Sequence, residues 1–105
     1  MKKISELDFS NEVIQTDGLQ IVHFYNPYSS HSNDTDMILE ELYKTHNDVN
    51  FFKINLLHCG MLCDRYGISL PCVLVFENGV LQDLLQDVIT KDTLVTKLTS
   101  LLSSN

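Results

Sequence analysis

The sequence predicts an α/β domain: a central mixed sheet of four or five strands flanked by four helices. Three observations carry this expectation. Apolar spacing switches repeatedly between a helical and a strand period. Asn78-Gly79 between two apolar runs is a strong hairpin signal. No repeat, low-complexity linker or composition shift interrupts the chain, so residues 1–105 read as a single domain.

Taken in order, Lys2 to Ile4 is a candidate first strand, and Phe9, Val13 and Ile14 are spaced for a short helix that Asp17-Gly18 ends. Leu19, Ile21, Val22 and Phe24 read as a buried strand stopped by Asn26-Pro27. Polar residues from Ser29 to Asp36 include cap formers and acids suited to a helix N-terminus, with Ser29 or Ser30 as the expected cap. Behind them Ile38, Leu39, Leu42 and Tyr43 form an apolar stripe, and the helix is expected to reach about His46. After an Asn47-Asp48 turn, Val49, Phe51, Phe52, Ile54 and Leu56 read as a second buried strand. A short helix from Cys59 to Tyr66 is closed by Gly67. Val73 to Phe76 and Val80 to Leu85 are the hairpin strands, and Thr90 caps a last helix with the face Leu94, Leu98, Leu101 and Leu102.

Composition narrows the function classes. The net charge is -7, and 14 acidic residues face 7 basic ones with no basic cluster longer than Lys2-Lys3, which argues against a nucleic-acid partner. No apolar run reaches the roughly 20 residues a membrane helix needs, and MKKISELDFS lacks the apolar stretch of a signal peptide. The expectation is therefore a monomer in the cytoplasm, without a membrane partner. Cys59, Cys63 and Cys72 form an odd set without a paired framework, which suits a reducing compartment.

Several segments carry a resemblance. They are Ile21 to Tyr28, Lys53-Ile54-Asn55, Tyr66-Gly67-Ile68, Leu70-Pro71 with Val73 to Phe76, and Glu77-Asn78-Gly79. Their order and spacing resemble the thioredoxin family across essentially the whole chain. The resemblance implies the thioredoxin fold, a cis Leu70-Pro71 loop facing the active loop and, for the family, a role in cell redox homeostasis. Where the family carries Cys-x-x-Cys, however, this chain reads Ser29-Ser30-His31-Ser32. A serine hydroxyl stays protonated near neutral pH and forms no exchangeable disulfide, so Ser29 and Ser32 cannot perform the family's reduction. The family's buried Asp that handles the second thiol's proton falls at His23, its loop tryptophan at Tyr28, and its groove glycine at Asp87.

Two functions follow. The first is a redox-inactive adaptor that binds a protein or an extended peptide segment through the former substrate groove, lined by Tyr28, Ser29, Ser30, His31, Leu70, Pro71, Asp87 and Val88. The alternative is a thiol-disulfide oxidoreductase seen as an engineered Cys-to-Ser variant; the departures at His23, Tyr28 and Asp87 favour the adaptor. Neither reading calls for a cofactor. A hydrolytic role for Ser29 with His31 and Asp34 or Asp36 is weaker than helix capping. Cys72, following the proline loop, is a candidate reactive thiol. His58, Cys59 and Cys63 resemble a fragment of a metal site but fall short of zinc's four structural ligands, so no metal is expected. A Cys59–Cys63 bridge is also disfavoured, because Cβ atoms four apart on a helix lie about 5 to 6 Å apart, beyond bridging range.

Overall fold

In the computed structural model, described here for residues 1–86 and 90–103 (without the side chains of Leu102 and Ser103), five strands form one sheet in the order β1-β3-β2-β4-β5. β1 (Lys2–Lys3), β2 (Leu19–Tyr25) and β3 (Val49–Asn55) run parallel, with β3 between the other two. β4 (Cys72–Glu77) is antiparallel to β2, and β5 (Val80–Gln86) is antiparallel to β4. The sheet is thus mixed, as expected, and β2 lies at its centre with every residue from Leu19 to Phe24 buried.

The pleat decides which side chain meets which layer. Val22 and Phe24 point to a face shared with Phe9, Val13, Phe52, Ile54, Leu62, Leu74 and Phe76. Ile21 belongs to the other face, with Leu39, Leu42, Phe51, Val73, Val75, Leu94 and Leu98. Because successive residues alternate, His23 also turns to this second face, under helix α1 (Ser30–Tyr43). Helix α2 (Gly60–Tyr66) supplies Leu62 to the first core, and α3 (Lys91–Ser103) supplies Leu94 and Leu98 to the second. Phe9, Tyr66 and Phe76 pack edge-to-face with centroids 5.6 to 5.9 Å apart, a geometry aromatic quadrupoles favour.

Local signals place most element ends. Gly67, at φ 67°, closes α2 in the left-handed conformation that glycine adopts without penalty. Asn78 (φ 51°) and Gly79 (φ 81°) make the hairpin turn, and a Cβ at Gly79 would lie 2.3 Å from the Ile14 carbonyl oxygen. Thr90 Oγ accepts from the Thr93 N–H at 3.2 Å, the expected capping contact of the last helix.

The short first helix is a 3₁₀ turn over Glu6–Asp8 running into a π turn over Ser10–Ile14, and it buries Phe9 and Val13. Three expectations are corrected. Helix α1 stops at Tyr43, where the Thr45 N–H and hydroxyl both turn back to the Leu42 carbonyl. Cys59 is not inside α2 but precedes it, with φ -133° and ψ 48°. The Leu70-Pro71 bond is trans, as are all peptide bonds among the described residues. The trans form is the lower-energy isomer of an X-Pro bond by about 0.5 to 1 kcal/mol, and the loop here closes with it.

Candidate functional site

The loop between β2 and α1 is built by two short side chains. Asn26 Oδ1 accepts from the Tyr28 N–H at 2.9 Å, and its carbonyl accepts from the Ser29 N–H at 3.0 Å, so Asn26-Pro27-Tyr28-Ser29 is a tight turn. Tyr28 is left 86% exposed at its tip. Ser29 is the N-cap of α1, its Oγ accepting from the Ser32 N–H at 3.3 Å. Ser30 and His31, in the first turn of α1, face solvent.

Ser32 has the opposite fate. At 2% exposure its Oγ accepts from the Asn26 N–H at 2.9 Å and lies 3.4 Å from His23 Nε2. His23, 1% exposed, places Nδ1 3.1 Å from Asp36 Oδ1. Asp36 Oδ2 accepts from Lys53 Nζ at 3.1 Å, and that ammonium sits 5.3 Å from the centre of the Tyr25 ring. With the imidazole proton on Nδ1, one consistent chain results: Lys53 and His23 donate to the Asp36 carboxylate, and the Ser32 hydroxyl donates to Nε2. The His23 hydrogen bond, followed by the Lys53 contact, holds the Asp36 carboxyl below its ordinary range despite partial burial.

Serine, histidine and aspartate thus stand in the order of nucleophile, base and orienting carboxylate. A nucleophile also needs a face open to substrate. Ser32 is enclosed and its oxygen already accepts a backbone N–H, so the chain clamps β2, β3 and α1 together.

Leu70 and Pro71 precede β4, whose Cys72 pairs with Phe24 near the end of β2. Their loop therefore lies at the same sheet end as Tyr28, and Leu70 is 54% exposed. Asp87 and Val88 lie outside the described residues. A separate cleft of about 660 Å³, lined by Lys2, Tyr43, His46, Val49 and Phe51, sits toward the opposite end of the sheet, at the start of β3.

Residues 1–100 match the profile of the Thioredoxin family. The chain belongs to the thioredoxin family. It is 37% identical over 84 residues to phosducin-like protein 3 of Dictyostelium discoideum, covering 79% of this chain and 45% of that protein. It is 34% identical over 99 residues to thioredoxin domain-containing protein PLP3A of Arabidopsis thaliana, covering 90% and 43% respectively. The human thioredoxin domain-containing protein 9 matches at 31% over 80 residues, covering 75% and 35%. The chain thus spans under half the length of these relatives.

In this thioredoxin-family domain the three thiols, all free, lie outside the Ser29–Ser32 segment. Cys72 is buried at the start of β4, and desolvation, then the neighbouring Cys63, pushes its thiol up to about 12, the reverse of what a reactive thiolate needs. Cys59 is likewise pushed up to about 12, by burial first, then by its contact with Cys63 and by the charge of Glu6. The two sulfurs of Cys59 and Cys63 are 3.3 Å apart with both thiols free, so the side chains touch without being bridged. Cys59 is the N-cap of α2, with its carbonyl accepting from the Cys63 N–H at 2.9 Å. Among the described residues no group of three or more His, Cys, Asp or Glu side chains is placed to hold a metal ion, and no helix is long and apolar enough to cross a membrane.

Sequence reasoning missed Asp36 and Lys53 as partners of His23. The signals were present: Asp36 is one helical turn beyond Ser32, and Lys53 pairs directly with His23 across β2 and β3.

Proposed function

We propose that this chain is a redox-inactive thioredoxin-like adaptor module that binds a protein or an extended peptide segment through the former substrate groove. The observation that carries the reading is the fate of the two motif positions. Ser29 is consumed as a helix cap and Ser32 as a buried link to His23, while Tyr28 and Leu70 stand exposed beside them. Without thiol capture, affinity comes from noncovalent contact: the Tyr28 ring offers apolar area at low entropic cost, and the loop ahead of β4 offers backbone groups for strand pairing. The names of the relatives, phosducin-like and thioredoxin domain-containing, fit a thioredoxin shape put to a use other than reduction. The free thiols and acidic surface are in keeping with a monomer in the reducing cytoplasm and with protein rather than nucleic-acid partners.

The test has two arms. An insulin-reduction assay coupled to thioredoxin reductase is expected to show no turnover, and turnover overturns the redox-inactive reading. Extended peptides selected from a displayed library on the wild-type chain are expected to lose at least tenfold in affinity on Tyr28→Ala and on Leu70→Ala, about 1.4 kcal/mol each. Peptides whose affinity neither substitution moves would place binding elsewhere.

A further inference from the structure

We propose that Cys59 and Cys63 form a second dithiol site, which a hydroperoxide converts to an intramolecular disulfide. Both side chains are free, and their sulfurs face each other at 3.3 Å. A disulfide needs about 2.05 Å, so the sulfurs must approach by about 1.3 Å. The backbone already holds the pair together: Cys59 is the N-cap of α2 and its carbonyl accepts from the Cys63 N–H at 2.9 Å, so the remaining approach falls to the two side chains. The two sulfurs also converge on one acceptor, the Leu56 carbonyl, at 3.5 and 4.0 Å, so the local hydrogen bonding already gathers them.

Exposure sets the order of events. Cys63 is half-buried and reaches solvent, whereas Cys59 is 0% exposed. The peroxide therefore meets Cys63 first: its sulfur attacks one peroxide oxygen, the O–O bond breaks, and the products are a sulfenic acid and water for a hydrogen peroxide oxidant. The Cys59 sulfur then attacks the Cys63 sulfur, the S–OH bond breaks, and the thiol proton leaves with the hydroxide as a second water. Two thiols lose two electrons and two protons, and one peroxide is reduced. Burial that leaves Cys59 a poor first nucleophile does not prevent this second step, since its partner is already in contact. Cys72 has no part in the bond.

The two thiols share one tryptic peptide, ending at Arg65, while Cys72 lies in the next. The experiment treats the reduced full chain with one equivalent of hydrogen peroxide, alkylates with iodoacetamide in denaturant and maps peptides by mass. The expected result is a peptide through Arg65 lacking both alkyl groups and lighter by two hydrogens, restored by dithiothreitol, with Cys72 alkylated throughout. Cys72→Ser is expected to leave that result unchanged, and Cys63→Ser to leave Cys59 fully alkylatable. A sulfinic acid at Cys63 beside an alkylatable Cys59, a disulfide-linked dimer, or a Cys63–Cys72 bridge each overturns the proposal.

Discussion

Helices α1 and α2 both begin at the same end of the sheet, where the parallel strands β2 and β3 finish, yet their first turns are secured in opposite ways. At α1 the cap is local: Ser29 accepts from Ser32 three residues on. At α2 it comes from far away. Glu6 Oε2 accepts from the Met61 and Leu62 N–H groups at 2.8 and 3.1 Å, across more than fifty residues of chain. Cys59, in the N-cap position, makes no capping bond of its own. A helix N-terminus ordinarily favours a thiolate, but here a carboxylate already occupies the amides, and its charge acts on Cys59 in the other direction. Hydroxyls at one helix start are spent on structure. Thiols at the other touch each other, and burial, the Cys63 contact and the charge of Glu6 push the Cys59 thiol up.

The contrast is sharpest in stability. His23→Ala removes the link between Ser32 and Asp36 and opens a cavity under α1, and chemical denaturation is expected to register a loss of about 3 kcal/mol. Cys59→Ala, equally buried but with a single sulfur to lose, is expected to cost about 1 kcal/mol. Equal losses at the two sites would mean that the polar clamp contributes nothing beyond packing.

Glu6→Ala probes the distant cap. Its expected cost is about 1 kcal/mol, similar to Ser29→Ala at the local cap. Only the Glu6 variant should also speed iodoacetamide labelling of Cys59, because removing the negative charge lets that thiol's pKa fall from about 12. Labelling that stays unchanged would assign the suppression to burial alone.

The smallest effect lies in acid. Asp36, faced by His23 from β2 and Lys53 from β3, has a folded pKa below the ordinary 3.8. Its contribution is complete above the unfolded value and is lost as pH falls through the folded one, so denaturation midpoints should decline below about pH 4. Asp83, paired with Lys97, adds to the same decline. Asp36→Asn is expected to flatten the curve without abolishing it, and an unchanged curve would remove Asp36 from the acid response.

Much of the fold was legible because its signals are local. Asn78-Gly79, Gly67 and Ser29 each state their conformation within a few residues, and the alternation of Leu19 to Phe24 with Val49 to Ile54 states the strands. The site was legible in part, and its limits follow from distance. That His23 would meet Asp36 depends on pleat parity in β2, the phase of α1 and the β2–β3 register together. That Glu6 would cap α2 depends on where the N-terminal turns dock. The thiol contact was hidden because spacing places the backbone of Cys59 and Cys63 and not the approach of their sulfurs.

The hairpin turn carries one more consequence. Gly79 presses against the Ile14 carbonyl, and Asn78 exchanges hydrogen bonds with Gly18: its side chain accepts from the Gly18 N–H, and its own N–H donates to the Gly18 carbonyl. The residues that receive this turn lie some sixty positions earlier in the chain. The last hairpin of the sheet is thus fastened to the segment that leads into its central strand, closing a loop of some sixty residues.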